Sequence, residues 1–173
     1  MIYPHYTKGR HSLQEREEEK WLGQHFLAET GSPLVFVTHY PSVKRPFYAM
    51  DDPENPRYTL SYDLLLHGLE ITTGGQRIHD LNMLEEKIQA KGMTEEGLEQ
   101  YLDAFRFGMP PHGGLGIGLE RLTMQLLGCE SLRDVIAYPK VQNASELMTM
   151  CPAPVDQKAL DDLGLAVTVK EKE

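Results

Sequence analysis

YDLLLHGLEITTGGQRIHD, residues 62–80, decides the fold. A leucine run, Leu64 to Leu66, and a β-branched run, Ile71 to Thr73, flank His67-Gly68, a pair suited to a tight two-residue turn, so the stretch predicts an antiparallel hairpin. With those two residues as the loop, Leu66 faces Leu69, Leu65 faces Glu70 and Asp63 faces Thr72. Opposed residues share a face, which sets Asp63 and Glu70 on one side as diagonal neighbours roughly 7 Å apart at Cβ. Two such carboxylates repel unless a cation sits between them. A hard divalent ion such as Mg2+, held together with substrate phosphates, suits that gap. A solvated acidic pair on a sheet surface is the plainer alternative. Gly74-Gly75 predicts a second break. Beyond it Arg77 and His79 alternate onto one face, where an arginine fork can read a carboxylate in plane, or simply pair with Asp63 or Glu70. Missing side chains at Gly74 and Gly75 let a small ligand approach the backbone.

Upstream, PLVFVTHYP (33–41) is short, apolar and bounded by prolines, as a buried strand is. Before it, Ser12 with Glu15 makes a capping-box pattern for a surface helix carrying Trp21, Leu22 and Phe26 and ending near Gly31. An Asp- and Pro-rich loop fills 51–56. Downstream, Asp80 is placed to cap a helix with Leu81, Leu84 and Ile88 on one face, stopped by Gly92. Thr94 is placed to cap the next, with Leu98, Tyr101, Leu102 and Phe105 at helical spacing. A strand over 135–138, a short helix after Asn143, another after Asp156 and a charged KEKE tail complete the chain. Strands in succession with helices clustered later predict an α+β fold, an antiparallel sheet flanked by helices.

The second chemistry-bearing stretch is GGLGIGLER, residues 113–121. Gly114, Gly116 and Gly118 alternate, so one strand face carries no side chain and a flat ring can lie on it. Arg121 opens the following helix, ERLTMQLLG, within reach of a nucleotide's phosphates. A tight packing seam is the other reading of such glycines. The spacing is neither a dinucleotide fingerprint nor a phosphate-binding P-loop.

Composition bounds the function. The chain has 173 residues, 40% hydrophobic and 25% charged, as one globular domain has, and no linker divides it. No run approaches the about eighteen apolar residues of a spanning helix, and no secretory signal pattern opens the chain, so a cytoplasmic protein without membrane contact is expected. Cys129 and Cys151 lack any disulfide or zinc spacing. A net charge of -9 argues against this segment gripping a phosphate backbone by itself.

Taken together, GLGIGLERLTMQLLG resembles motif 3 of the class II aminoacyl-tRNA synthetases. The stretches YDLLLHGLEITTGGQRIHD, GMPPHGG, THYPSVKRPFY and AYPKVQNASELMTMCPAPV make the chain similar to aspartyl-tRNA synthetases in particular. The resemblance implies the C-terminal half of such a catalytic domain over 1–173. It implies aspartate and ATP as substrates: aspartate attacks the ATP α-phosphate, releasing pyrophosphate, and the aspartyl group passes from the adenylate to the tRNA terminal ribose.

By position, Arg121 resembles the arginine on the ATP γ-phosphate, and Gly114, Gly116 and Gly118 the adenine floor. Asp63, Glu70 and Thr73 resemble the Mg2+ shell, with Glu70 also on ATP. Arg77 resembles the clamp on the substrate's side-chain carboxylate, with His79 and Gly75 beside it, so that Arg121, Glu70 and Arg77 are the catalytic set. The motif 1 and motif 2 patterns of that family do not occur in this sequence. Phe105-Arg106-Phe107-Gly108 is the nearest to motif 2 and lacks its acid. The isolated chain is therefore expected to be unable to complete the reaction, to meet tRNA only through regions outside it, and to self-associate as a homodimer. The alternatives are a stand-alone synthetase-like paralogue that binds ATP or an amino acid without charging tRNA, and an asparaginyl or non-discriminating synthetase.

Overall fold

The computed structural model describes residues 12–168, with side chains from residue 17 onward. It divides into two compact units, Met1–Glu130 and Ser131–Glu173, where the sequence shows no linker. The Ser12 and Glu15 side chains of the expected capping box, and the KEKE tail, lie outside the described residues.

In the first unit, helix α1 (Ser12–Thr30) precedes strands β1 (Leu34–Thr38), β2 (Ser61–Leu66) and β3 (Leu69–Arg77). Helices α2 (Leu81–Ala90) and α3 (Glu99–Arg106) follow, then β4 (His112–Ile117) and α4 (Leu119–Leu127). The strands form one antiparallel sheet in the order β1-β2-β3-β4. This is the α+β arrangement expected from the succession of strands. His67 and Gly68 have φ of 50° and 77°, the paired left-handed residues that a tight hairpin matching strand twist requires.

The hairpin register departs from the expectation at one point. Leu66 opposes Leu69 and Leu65 opposes Glu70, but Leu64 opposes Thr72 and Asp63 opposes Thr73, so Ile71 is an extra residue in β3. A β-bulge of this kind moves every later side chain of its strand to the other face. One face consequently carries Val35, Val37, Leu65, Asp63, Thr73, Gly75, Arg77, Gly114 and Gly116. The opposite face carries Leu34, Phe36, Tyr62, Leu115 and Ile117, with Phe36 still 55% exposed. The expected break at Gly74-Gly75 does not occur. Gly75 instead lies against the backbone of Leu60 and Ser61, where a Cβ would come within 2.7 Å, so the glycine pair serves close strand packing.

Two apolar clusters hold this unit. Leu22 of α1 packs with Val35, Val37 and Leu65, while Trp21 points outward. Leu84 and Ile88 of α2 join Ile78 and the α3 residues Leu102 and Phe105, flanked by Phe47, Tyr48 and Met50. Asp80 caps α2 as expected, accepting from the Met83 amide at 3.0 Å. Thr94 does not cap α3. The helix begins at Glu99, because Gly97 takes φ of +80° and its amide donates to Glu99 Oε1 at 3.1 Å, closing a turn where the helix was expected.

In the second unit, residues 135–138 form no strand, and a 3-10 turn runs over Leu132–Asp134 before them. No helix follows Asn143, whose Oδ1 accepts from the Ser145 amide at 3.1 Å and turns the chain instead. A short helix α5 (Gln157–Asp162) begins at its Asp156 cap as expected. No helix among the described residues is long and apolar enough to cross a membrane.

Where α1 crosses the hairpin, Gly23 and Gly68 touch: a Cβ on Gly23 would lie 2.3 Å from the Gly68 nitrogen. Gly23→Ala is expected to lower unfolding free energy by about 1–3 kcal/mol through overpacking. Gly116→Ala, facing open space, is expected to change it by no more than about 0.5 kcal/mol. Urea titration of both variants checks the pair.

Candidate functional site

The face shared by Asp63, Thr73, Gly75 and Arg77 opens into a hollow of about 350 Å³. Its lining comes from β3 (Thr73 to Arg77), from β4 (Gly114 to Gly116), from Ser61 of β2, and from Arg45, Pro46, Tyr48 and Ala49 of the segment after β1. That segment lies along β3: Ala49 bridges Arg77, the Met50 amide donates to the Gln76 carbonyl at 3.1 Å, and the Ile78 amide donates to the Tyr48 carbonyl at 2.9 Å.

Of the residues expected from the sequence, the hollow brings together Thr73, Gly75, Arg77, Gly114 and Gly116. The Arg77 guanidinium stacks on the Tyr48 ring, 4.6 Å from its centroid. It also crosses Gly114, where a Cβ would meet Arg77 Nε at 3.0 Å and crowd the guanidinium away from β4 by a few tenths of an ångström. Gly116 faces open space. Asp63, Glu70, His79, Gly118 and Arg121 are not in the lining. Gly118 ends β4 and starts α4, with the Arg121 side chain about 3.5 Å from where its Cβ would be. Arg121 Nη1 donates to the Glu70 carbonyl at 2.9 Å and stands 3.6 Å from its carboxylate, and both side chains are partly exposed. The buried His79 Nδ1 has no hydrogen-bond partner among the described residues.

The acidic pair is arranged differently from the expectation. Asp63 is 7% exposed and both its oxygens are engaged: Oδ2 accepts from Arg45 Nη2 at 2.8 Å and Oδ1 accepts from Thr73 Oγ1 at 2.5 Å. Arg45 also donates to Thr73 Oγ1 at 3.2 Å and lies 3.9 Å from the centroid of the Tyr40 ring. Burial, then the Asp63 carboxylate, pushes the Tyr40 phenol well above its ordinary range, which keeps it neutral beside the pair. Each carboxylate thus has its own arginine, Asp63 with Arg45 and Glu70 with Arg121, and a metal is not needed to balance them.

These residues do not fit a resident Mg2+. Asp63 and Thr73 are committed to Arg45, and among the described residues no group of three or more His, Cys, Asp or Glu side chains is placed to share an ion. An ion arriving with a nucleotide's phosphates finds the Glu70 carboxylate alone partly exposed.

Arg45 is the site residue that sequence reasoning missed. Its signal was present, a basic residue between Tyr40 and Phe47-Tyr48, but its counter-ion is 18 positions away and no spacing rule links them.

Residues 5–142 match the family model for class II tRNA synthetases (D, K and N). The chain belongs to that family. An aspartate–tRNA(Asp/Asn) ligase of Deinococcus radiodurans is 50% identical over 129 residues, 72% of this chain and 30% of that protein. An aspartate–tRNA(Asp) ligase of Pyrococcus abyssi is 44% identical over 126 residues, 73% of this chain and 29% of that protein. Among solved structures, the aspartyl tRNA synthetase of Entamoeba histolytica superposes with a TM-score of 0.73 at 36% identity, covering 83% of this chain and 28% of that one. An asparaginyl-tRNA synthetase of the same organism, in complex with asparaginyl-adenylate, gives 0.69 at 32%, covering 82% and 31%. The chain therefore spans about 30% of the length of the relatives it matches.

The buried ion pair makes a direct prediction. Arg45→Met leaves Asp63 without its cation in a nearly dry position and is expected to lower unfolding free energy by about 3 kcal/mol at neutral pH. Adding Asp63→Leu is expected to recover most of that loss, since it removes the orphaned charge. Chemical denaturation of the single and double variants checks the recovery.

Proposed function

We propose that this chain forms the amino-acid pocket and part of the nucleotide floor of an aspartate–tRNA ligase. The observation that carries the reading is Arg77, a guanidinium laid flat across Gly114, backed by Tyr48 and open to a hollow that Gly116 leaves clear. A planar fork held on two sides is preorganised for a carboxylate, and little rotamer freedom is lost when it binds one. Arg45 lines the same hollow, and its buried Nε has no hydrogen-bond partner among the described residues. Arg45 is balanced by Asp63, so the charge the hollow offers a ligand is that of Arg77, which has no acid partner among the described residues and favours aspartate over the uncharged asparagine.

The nucleotide's adenine would lie over Gly116, the open position of the glycine strip, between Arg77 across Gly114 and Arg121 beside Gly118. Arg121 would meet its phosphates, and the partly exposed Glu70 carboxylate would face the Mg2+ that travels with them. Positioning and charge neutralisation would then carry adenylate formation without a covalent enzyme intermediate. His79, beyond the buried Ile78, would act on the pocket from behind rather than touch the amino acid.

Aspartate, ATP and, through other regions of a longer chain, tRNA would be the partners, with the cytoplasm as the place of action. The matched portion corresponds to under a third of its relatives, and we expect these 173 residues to bind but not to form adenylate. The exposed apolar face formed by Leu34, Phe36, Leu115 and Ile117 would be covered in the complete enzyme or by a second copy.

Calorimetric titration tests the reading. Wild-type chain is expected to bind aspartate at least tenfold more tightly than asparagine, and Arg77→Leu to lose about tenfold or more in aspartate affinity, as removal of a charge-assisted hydrogen bond does. Gly116→Val is expected to weaken ATP while leaving aspartate within about twofold. Equal affinity of wild type and Arg77→Leu for aspartate overturns the assignment of the pocket.

A further inference from the structure

The wall of the hollow that carries Arg45, Pro46, Tyr48 and Ala49 belongs to a loop whose two ends meet on one largely buried ammonium. Lys87 of α2 donates from Nζ to Ser42 Oγ at 2.7 Å, at the start of the loop, and makes an ion pair with Asp51 at its end. Its side chain is only 10% exposed. At the C-cap of α2, Lys91 Nζ donates to the Ser42 carbonyl at 2.8 Å and to the Val43 carbonyl at 3.2 Å. Burial, then the Lys87 charge, holds Lys91 below the ordinary lysine range, as expected of an ammonium packed against the loop. Ser42 opens the 3-10 turn Ser42–Lys44, and Arg45 is the residue that ends it. The same loop sets Tyr48 under the Arg77 guanidinium.

Neither lysine touches the hollow, and neither has a role in the reading given above. A surface lysine pair would bind single acceptors loosely. Here one largely buried cation joins both ends of a loop whose middle lines the site, and a loop closed at its base loses less freedom when a ligand orders it. We infer that Lys87 is a positioning residue for the amino-acid pocket, clamping the Ser42–Asp51 loop so that Arg45 and Tyr48 stand in place before aspartate enters. The inference rests on the pocket assignment proposed above for its ligand, though not for the clamp itself.

Lys87→Met, which keeps the aliphatic stem and removes the charge, tests the clamp in the full chain by two readouts. In amide hydrogen exchange, protection of Ala49 and Met50, whose N–H groups bond to Pro46 and Gln76, is expected to fall at least about tenfold. That of Gly118, bonded to Ile71 across β3 and β4, is expected to stay within about twofold. In titration, aspartate affinity is expected to fall about tenfold while ATP affinity is unchanged.

Unchanged protection at Ala49 and Met50 overturns the inference, and so does an equal loss at Gly118, which marks a merely structural lysine. If Lys87→Met does not fold, Ser42→Ala, which removes one end of the closure, is expected to give the same pattern at smaller amplitude, and no change there also overturns the clamp. Should the wild type bind neither aspartate nor ATP, the pocket assignment fails and exchange still decides whether Lys87 orders the loop.

Discussion

One inserted residue, Ile71, determines which face of β3 meets the rest of the site. Without it the strict two-residue alternation would set Thr72, Gly74 and Gln76 beside Asp63, and Arg77 would point to the opposite side of the sheet. With it Thr73, Gly75 and Arg77 share the face of Asp63, and the β4 glycines Gly114 and Gly116 come opposite them. The bulge also supplies acceptors: the Ile71 carbonyl takes the Gly118 amide at 2.8 Å and the Glu70 carbonyl takes the Arg121 guanidinium at 2.9 Å. The end of the glycine strand and the arginine that follows it are thus tied to the same irregularity. A bulge beside a site re-aims side chains that a regular ladder could not deliver.

Charge is arranged in matched pairs around that face. Asp63 with Arg45, Glu70 with Arg121 and Asp51 with Lys87 each neutralise an acid with a cation from a different segment, so electrostatics and chain positioning are one problem here. The nearly dry pairs have no water to replace a lost partner, and the surrounding backbone must hold them in register. Arg77 is the exception. Its guanidinium makes no ion pair among the described residues and rests between a tyrosine ring and a glycine, where it lines the hollow. That contrast between paired arginines and a supported arginine without a counter-ion gives the site its direction.

Much of this was legible in the residues. His67-Gly68 named the hairpin turn, Asp80 the start of α2, and the glycine strip followed by Glu120-Arg121 the passage from β4 into α4, because each depends on local backbone chemistry. What local chemistry does not encode was missed. The hairpin was laid out without its bulge, since Ile71 is as good a strand residue as its neighbours and only the sheet shows that it is unpaired with β2. Thr94 looked like a cap until Gly97 interrupted the helix. The strand expected over 135–138 has the right residues but no strand to pair with among those described. Arg45 escaped notice because its meaning depends on Asp63 across the fold. The family resemblance reached the acids and arginines by motif, and the structure then assigned them partners that a motif cannot specify.

The register of β2 against β3 is the claim on which the rest depends, and cross-strand nuclear Overhauser contacts read it directly in solution. The account requires backbone contacts that pair Asp63 with Thr73 and Ser61 with Gly75, alongside Leu65 with Glu70 on the near side of the bulge. Contacts pairing Asp63 with Thr72 and Ser61 with Gly74 would show an unbulged hairpin, send Arg77 to the other face and contradict the site described here.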